Sequence, residues 1–460
     1  MAISIQTNPI RQVASGRGYV PLGPCVWSVS SNQTAQPNFK YLIQIFDGAT
    51  EVAKFVIAPN PNNRCSFDAW EVNKSYIKAD AQNSSGNSIH YQGTTVAPGN
   101  KPFIKATKSI KALEIRFGEK YDVGGVPMEF PGAGTLGADA WMMYILPYRT
   151  QFSDGLNPAG NGRWTLTNLN SRPPLTAWRF GYFTGDNTTL WSLGSAIQIP
   201  VTVNDWGVMS FPHDGLTIDS LNNTYDWVFT IYNGTTVIGT QTTLITSGNG
   251  ASAPNSTTGV DKLIYFAAFP KNLSNANVIS NPLIWPDNLF NPNWTHYSIT
   301  IRSSFASASS NPIVFYRVTP DNCRFDNMRL AWVNDFGGWD YFNFTKKNEI
   351  NWTKQGKTYD QIIGTFSELN YIQPNSSRST TVYGQMVEKI YTVSSDWVTE
   401  GMITYLRQLF TSREVNLLDT ANTTHIPVTI VENSYKEERI RSSRVVQITF
   451  QIKLSQPLNL

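Results

Sequence analysis

The sequence predicts a mainly β protein: two Ig-like antiparallel β-sandwich domains, then a carboxy-terminal α+β module with one main helix and a long β-hairpin. Alternation of apolar and polar residues dominates the chain, one hairpin pattern occurs twice, and a helical period stands out only near the carboxyl end. The predicted division is 1–150 for the first sandwich, 151–195 for a loop-rich arm or connector, 196–325 for the second sandwich and 326–460 for the α+β module.

A β-hairpin is predicted in the first sandwich. Two β-prone runs, Tyr41–Phe46 and Glu51–Ile57, flank an Asp-Gly pair, which tolerates the positive φ of the favoured hairpin turns. Pro59 ends the second run because proline cannot donate to a strand ladder. Lys111–Phe117 alternates apolar and polar residues, which predicts a further half-buried strand.

The hairpin pattern recurs in the second predicted sandwich. Trp227–Thr236 matches Tyr41–Thr50 without a gap, 186 residues further along the chain. Downstream, Tyr297–Arg302 loosely matches Leu113–Arg116. A duplicated sandwich explains both matches, and two independently formed hairpins are the alternative.

The segment between the sandwiches is rich in turn formers. Pro147–Pro200 contains Asp154-Gly155 and Asn161-Gly162, which interrupt regular structure. Because the segment is long for a bare connection, we expect either an arm that reaches a neighbouring molecule or an extension packed on the first sandwich.

A second hairpin is predicted within Arg324–Phe344. Met328–Val333 forms one strand and Trp339–Phe344 the other, with Gly337 and Gly338 between them. We expect both glycines to supply positive φ and the aromatic residues to bury a large area. The hairpin is predicted to lock the second sandwich onto the carboxy-terminal module.

The main helix is predicted after Asp396, which is placed to cap it. Apolar residues then recur at the spacing of one helix face. These residues are Met402, Tyr405, Leu406 and Leu409.

Strands are predicted after the helix. Val415–Leu418 and Val428–Val431 are β-prone, and Val446–Leu454 alternates strictly, which predicts a long strand with one apolar face. Tyr435–Arg444, just before it, carries the densest cluster of charges in the chain. A strand–helix–hairpin module of this kind can pair edge to edge with copies of itself.

The composition disfavours several classes of protein. Charged residues make up 15% of the 460 residues and the net charge is +3, against roughly 25% charged residues in an average domain. So small a charge disfavours nucleic-acid binding and a polybasic membrane surface, and no run has the ~20 apolar residues of a membrane anchor.

The cysteines and the first residues predict the folding compartment. Cys25, Cys65 and Cys323 fit neither a zinc spacing nor a disulfide framework, so we expect folding in a reducing compartment. Met1–Arg11 does not have the pattern of a secretory signal.

Reactive side chains are few and scattered. No metal ligand or carboxylate lies at ligand spacing from the four histidines, which are His90, His213, His296 and His425. Gly132–Gly137 matches the G-x-G-x-x-G pattern, but Pro127 and Pro131 interrupt the strand that a dinucleotide site requires. A flexible loop is predicted there. We therefore predict no catalytic, cofactor-binding or metal-binding residues and no cofactor.

Two carbohydrate-related alternatives stay open. A glycoside hydrolase needs two carboxylates, although acids in turns are the simpler interpretation of the available candidates. These candidates are Asp326, Asp335 and Asp340. Exposed tryptophans can stack on sugars, but those within or beside strand patterns pack in cores by default. These tryptophans are Trp27, Trp70 and Trp227.

Three parts of the chain resemble one known family. Asn32–Pro61, which leads into Phe67–Ile77, is similar to the family's opening; Arg329–Phe344 is similar to its junction motif. Tyr405–Asp419 and Pro427–Gln456 resemble its carboxy-terminal module. The family is one of bacteriophage virion proteins, associated with the tails of crAss-like and related phages, and the likeness is weak from residue 132 to residue 206. The resemblance implies a structural subunit in a symmetric assembly, and it brings no catalytic residues.

The expected function is therefore that of a non-enzymatic structural subunit of a bacteriophage virion. We expect a tail or tail-associated protein that forms a homo-oligomeric ring or tube, made in the host cytoplasm and located in the virion. Its expected partners are copies of itself and other tail, neck or baseplate proteins. The alternatives are a carbohydrate- or receptor-binding module at the tail tip, which would contact a host-surface glycan, and a neck, collar or capsid-decoration protein.

Overall fold

A computed structural model of the chain describes residues 3–7, 11–14, 17–20, 25–82, 86, 88–91, 103–105, 108–109, 111–133, 140–145, 197–213, 225–245, 262–273, 293–303, 312–319, 327–334, 337–346, 348–366, 368–376, 378–419, 423–431, 436–440 and 445–455. Strands dominate these residues, so the predicted mainly β class is confirmed. The predicted connector 151–195 lies outside them.

The chain divides into two compact units. Unit 1 comprises Met1–Thr319, Val333–Asp340 and Arg407–Ser412. Unit 2 comprises Pro320–Trp332, Tyr341–Leu406 and Arg413–Leu460. No helix in the described ranges is long and apolar enough to span a lipid bilayer.

The amino-terminal elements of unit 1 form the first sandwich and supply one strand of the second. In chain order these are β1 (Ile3–Thr7), β2 (Arg11–Ala14), β3 (Arg17–Val20), β4 (Val26–Ser31), β5 (Lys40–Asp47), β6 (Thr50–Ile57), β7 (Arg64–Asp68), α1 (Trp70–Tyr76), a 3₁₀ turn (Ile89–Tyr91), β8 (Phe103–Lys105), β9 (Lys111–Val123), β10 (Val126–Phe130) and β11 (Ala140–Ile145). Among them, β1-β4-β7 form a three-stranded sheet, and β2-β3-β11-β9-β5-β6, with β10 paired to β9, form a seven-stranded sheet.

Both sheets contribute to one apolar core. Trp27 of β4 and Phe117 of β9 lie 5.3 Å apart between ring centroids, so the two sheets pack face to face. The predicted hairpin is confirmed as β5 and β6, with Gly48 at φ +62° in the turn. The predicted strand that starts at Lys111 extends to Val123.

The second sandwich of unit 1 follows. Its elements are β12 (Ile197–Val201), β13 (Met209–His213), β14 (Tyr225–Asn233), β15 (Thr236–Ile245), β16 (Lys262–Phe266), α2 (Pro270–Leu273), β17 (His296–Ser303) and β18 (Ile313–Arg317). The order β12-β18-β17-β14-β15 makes the larger sheet, and β13-β16-β8 the smaller one. Strand β8, from the 1–150 segment, thus completes a sheet of the second sandwich through its pairing with β16.

The two larger sheets repeat one topology. Each contains an antiparallel path (β11-β9-β5-β6 and β18-β17-β14-β15), flanked by a parallel partner, β3 or β12. Both hairpins carry a register shift at the same point, between Ile45 and Phe46 and between Ile231 and Tyr232. These pairs are 186 residues apart, and Gly234 has φ +59° as Gly48 has φ +62°. The two hairpins thus share a bulge as well as a sequence pattern, and duplication of the sandwich stays a prediction.

Unit 2 contains most of the carboxy-terminal elements. They are β19 (Met328–Val333), β20 (Trp339–Phe344), β21 (Glu349–Asp360), β22 (Thr365–Phe366), β23 (Tyr371–Ile372), β24 (Thr380–Ser394), β25 (Val398–Thr399), α3 (Glu400–Thr411), β26 (Val415–Asp419), β27 (Thr424–Ile430), β28 (Lys436–Ile440) and β29 (Val445–Leu454). The order β20-β19-β26-β27-β29-β24-β21, with β25 and β28 also paired to β29, makes a nine-stranded sheet of the described residues.

The helix of this module begins later than predicted. Val398 and Thr399 pair with β29, so α3 starts at Glu400. The prediction that Asp396 caps the helix is therefore wrong, and its Oδ1 instead accepts the amide of Trp397 at 2.7 Å. The predicted helix face is confirmed, because its four apolar residues are buried. Sequence reasoning missed the short helices α1 and α2.

The strands after the helix agree with the sequence except at their ends. The strand predicted at Val428–Val431 runs over Thr424–Ile430. Strand β29 buries alternate residues from Val446 to Ile452, as its pattern predicts. It forms a hairpin with the five residues of β28, which pair from Lys436↔Thr449 to Ile440↔Val445.

The junction hairpin forms where predicted, as β19 and β20. Its turn differs in detail: Gly337 has φ +79°, whereas Gly338 has no positive φ, so that part of the prediction is wrong. The amide of Gly338 instead donates to Asn334 Oδ1 at 3.1 Å. The turn and the first two residues of β20 belong to unit 1, and the rest of both strands, apart from Val333, belongs to unit 2.

Candidate functional site

The histidines lie in separate environments. His90 is fully buried in unit 1, and the ring of His296 stacks on Tyr232 at 4.4 Å. Burial lowers the pKa of His296 and of His425. The side chain of His213 lies outside the described part of the chain. In the described ranges, no three His, Cys, Asp or Glu residues are grouped so that they could hold a metal ion.

The two described cysteines are buried thiols. Burial raises the pKa of Cys25 to about 12 and that of Cys65 to about 11. A thiol with so high a pKa is a poor nucleophile at neutral pH. Cys323 lies outside the described residues.

The glycine-rich motif begins at a close backbone approach. A Cβ on Gly132 would lie 2.6 Å from the carbonyl oxygen of Phe117, and one on Gly118 would lie 2.5 Å from that of Phe130. Gly132 thus lets the chain pass against β9, a packing role that does not need a phosphate. Residues 134–137 of the motif are outside the described ranges.

One of the three candidate carboxylates is described, and it braces a turn. Asp340 is buried, and its Oδ2 accepts a hydrogen bond from Asn334 Nδ2 at 2.9 Å. The Asn334 Oδ1 atom in turn accepts the amide of Gly338. Asp326 and Asp335 lie outside the described residues.

The candidate tryptophans are not those that the structure exposes most. Trp27 is buried in the first core, Trp70 is half-buried and the side chain of Trp227 is not described. Trp352, which the sequence reasoning did not single out, is 59% exposed. Its strand carries exposed residues on both faces, so no apolar period signals it.

A buried polar centre joins the two sandwiches of unit 1. Asp80 Oδ2 accepts hydrogen bonds from the amide of Ser109 at 3.0 Å and from its hydroxyl at 2.5 Å. Asp80 Oδ1 accepts the amide of Lys108 at 3.0 Å. Ser109 Oγ also lies 2.7 Å from the hydroxyl of Tyr265 in the second sandwich. All these polar groups are satisfied by one another, as a buried network requires.

The turn of the junction hairpin also contacts this centre. Trp339 Nε1 donates to the backbone oxygen of Asp80 at 3.0 Å, and its amide donates to Ser210 Oγ at 3.4 Å. Its ring meets the ring of His90 edge-on at 4.6 Å. Trp339 thus bridges segments from both sandwiches within unit 1. The locking of the second sandwich onto the carboxy-terminal module stays a prediction.

Buried Tyr265 is expected to make the free energy of unfolding fall as the pH rises through the alkaline range. Burial, and then the charge of Asp80, raise the pKa of Tyr265 well above 10. Above pH 10 an unfolded tyrosine loses its proton, whereas folded Tyr265 keeps it. Rising pH therefore stabilises the unfolded state relative to the folded state. We expect Tyr265 to reduce the free energy of unfolding by about 1.4 kcal/mol per pH unit above pH 10.

Urea unfolding of wild type and Tyr265→Phe between pH 8 and pH 11.5 measures this slope. In the variant, the free energy of unfolding is expected to fall less steeply above pH 10, by the contribution of one titrating group. Ser109→Ala is the matched control, since it removes a hydroxyl of the same centre but no titrating group. If Tyr265→Phe retains the full wild-type slope, the stated cause is wrong.

The second candidate feature is an exposed β-hairpin in unit 2. Residues 349–394, named here the hairpin arm, comprise β21, the short pair β22–β23 and β24. Strands β21 and β24 pair from Glu349↔Thr392 to Asp360↔Thr380, and all twelve residues of β21 are exposed. Strand β24 pairs with β29 only over Ile390–Ser394. Most of the arm is therefore a two-stranded ribbon.

The hairpin arm carries many exposed apolar side chains. They are Ile350, Trp352, Tyr359, Ile362, Leu369, Tyr371, Ile372, Val382 and Tyr383. At its base, Lys389 Nζ lies 5.3 Å from the ring centre of Trp352 and 4.7 Å from that of Tyr391. Exposed apolar residues grouped in this way are typical of a surface that binds another macromolecule.

The two features therefore have different chemistry. The buried centre holds segments of unit 1 together, whereas the hairpin arm exposes apolar area and a strand edge. A scan against protein-family models found no match to the chain, and a search of curated proteins found none.

Proposed function

We propose that the protein is a non-enzymatic structural subunit of a bacteriophage virion, a tail or tail-associated protein that assembles into a homo-oligomeric ring or tube. The exposed hairpin arm carries the proposal, because a soluble monomer rarely leaves so many apolar side chains on a ribbon open to water. The low charge of the chain agrees, since obligate interfaces are poor in charged residues.

The phage assignment draws on the sequence. The resemblance to phage virion proteins covers the opening, the junction and the carboxy-terminal module, and these stretches contribute to both compact units. Its expected partners are copies of itself and other tail, neck or baseplate proteins, and its location is the virion.

Sedimentation velocity and negative-stain microscopy of the purified full chain test the proposal. We expect closed rings or short tubes of many copies. A chain that stays monomeric up to tens of micromolar would contradict it, as would its absence from purified virions by mass spectrometry.

A receptor-binding role at the tail tip is the second candidate. The exposed ring of Trp352 favours it, since open tryptophan faces stack on sugars. This candidate predicts binding to host-surface glycans that is lost in Trp352→Ala, with an unchanged oligomeric state. A neck, collar or capsid-decoration role needs the same kind of interface, and antibody labelling of intact particles distinguishes it from a tail position.

A further inference from the structure

In the described part of the chain, no further strand supports most of the hairpin arm. From Lys389 outward, β24 pairs with no described strand other than β21, and β21 has no described partner on its other edge. A two-stranded ribbon is marginal in water unless a further layer covers it. The fold therefore provides an element that a neighbour can complete.

The tip of the arm is its most apolar and exposed part. Ile362 is 81% exposed and Leu369 is 90% exposed, and Tyr371 and Ile372 of β23 lie beside them in the chain. The tip is nevertheless shaped: Gly364 has φ +95°, and a Cβ there would lie 2.6 Å from the carbonyl oxygen of Ile372. A defined turn that presents large apolar side chains is suited to enter a pocket on a partner.

Charge and size indicate what that partner is. The arm contains four basic and four acidic residues, so it has no net charge. Nucleic acid and anionic lipid both select basic surfaces. An arm without net charge is not repelled by a second copy of the chain, whose own net charge is only +3. Twelve paired residues make a ribbon about 40 Å long and 10 Å wide. Its two faces offer about 800 Å², the share of one partner in a standard interface.

We infer that the hairpin arm of each subunit docks against a second copy of the chain, with Ile362 and Leu369 as the anchoring side chains. The inference rests on the proposed function and names its contact surface. An arm received by a different surface of the neighbour is a heterologous contact, which repeats from copy to copy and gives a closed ring or an open tube according to its rotation. The outer edge of β21 adds main-chain donors and acceptors to this contact.

The double variant Ile362→Ser/Leu369→Ser of the full chain tests the inference. Both side chains point into solvent in the single subunit, so the fold is expected to persist, and circular dichroism checks this. Loss of two buried anchors is expected to weaken self-association by at least about a hundredfold in sedimentation equilibrium. The matched control is Val126→Ser/Val237→Ser, which removes exposed apolar side chains from unit 1 and is expected to leave self-association unchanged.

The outcomes separate the two ideas. If wild type does not self-associate, both the proposed function and the inference fail. If wild type assembles and the tip variant assembles equally well, the inference is overturned while the proposed function stands.

A cross-linking measurement shows which chain receives the arm. The Leu369→Cys variant is prepared with ¹⁴N and with ¹⁵N, and a photo-crosslinker is attached to the new cysteine. The two preparations are then mixed in equal amounts, assembled and irradiated. Mixed-isotope peptide pairs from this chain support docking on a second copy, whereas pairs from one isotope alone overturn it.

Discussion

Replacing Trp339 by alanine is expected to lower the free energy of unfolding of unit 1 by about 4 kcal/mol. The indole is 2% exposed, and removing it leaves a cavity beside the ring of His90. It also removes the Nε1 donor from the backbone oxygen of Asp80. Trp339→Phe keeps most of the volume and loses the donor, so we expect a loss of about 1 kcal/mol.

Urea unfolding and limited proteolysis measure these losses. Trp352→Ala is the matched control, since it deletes the same side chain from an exposed strand, and its effect is expected to stay within about 0.5 kcal/mol. Equal stabilities of Trp339→Ala and Trp352→Ala would show that the hairpin turn does not brace unit 1.

Local patterns predicted the elements that bury one face. The strand at Val446–Leu454 follows from alternation, because it packs one side on a core and leaves the other toward water. The hairpin at Tyr41–Ile57 follows instead from two β-prone runs around an Asp-Gly turn, since Tyr41–Ile45 are all buried and show no alternation. The repeated hairpin pattern is visible in the sequence because both hairpins keep the same apolar order as well as an Asp-Gly or Asn-Gly turn.

The hairpin arm could not be predicted in this way. Strand β21 is exposed on both faces, so its sequence Glu349–Asp360 has no apolar period, and it is a strand only because β24 pairs with it. The start of α3 differs from its prediction for a similar reason. Val398 and Thr399 pair with a strand almost fifty residues away, and that pairing outcompetes a helix cap at Asp396.

The buried centre gives no local signal either. Ser109 and Tyr265 are 156 residues apart, and Asp80 and Tyr265 are 185 apart, so only the fold brings them together. Sequence reasoning considered the acids near the aromatic segment, of which Asp340 turned out to brace a turn. A buried aspartate among polar neighbours in a loop carries no recognisable spacing.

Asp80→Ala is the second substitution expected to have a large effect, a loss of about 3–5 kcal/mol from unit 1. Asp80 is 3% exposed, and its carboxylate accepts the amides of Lys108 and Ser109 and the hydroxyl of Ser109. Its removal leaves these buried donors without their acceptor, and each such donor costs about 1–3 kcal/mol. Urea unfolding measures the loss, with Glu71→Ala as an exposed acidic control expected to cost about 0.5 kcal/mol or less.

The same centre makes the effects of two substitutions non-additive. Ser109 Oγ lies between Asp80 Oδ2 and the Tyr265 hydroxyl, so removing either partner disturbs the hydrogen bond to the other. The double variant Asp80→Ala/Tyr265→Phe is therefore expected to lose about 1 kcal/mol less than its two single variants together. Strict additivity would mean that the three groups act independently, and the polar centre would then not couple the two sandwiches.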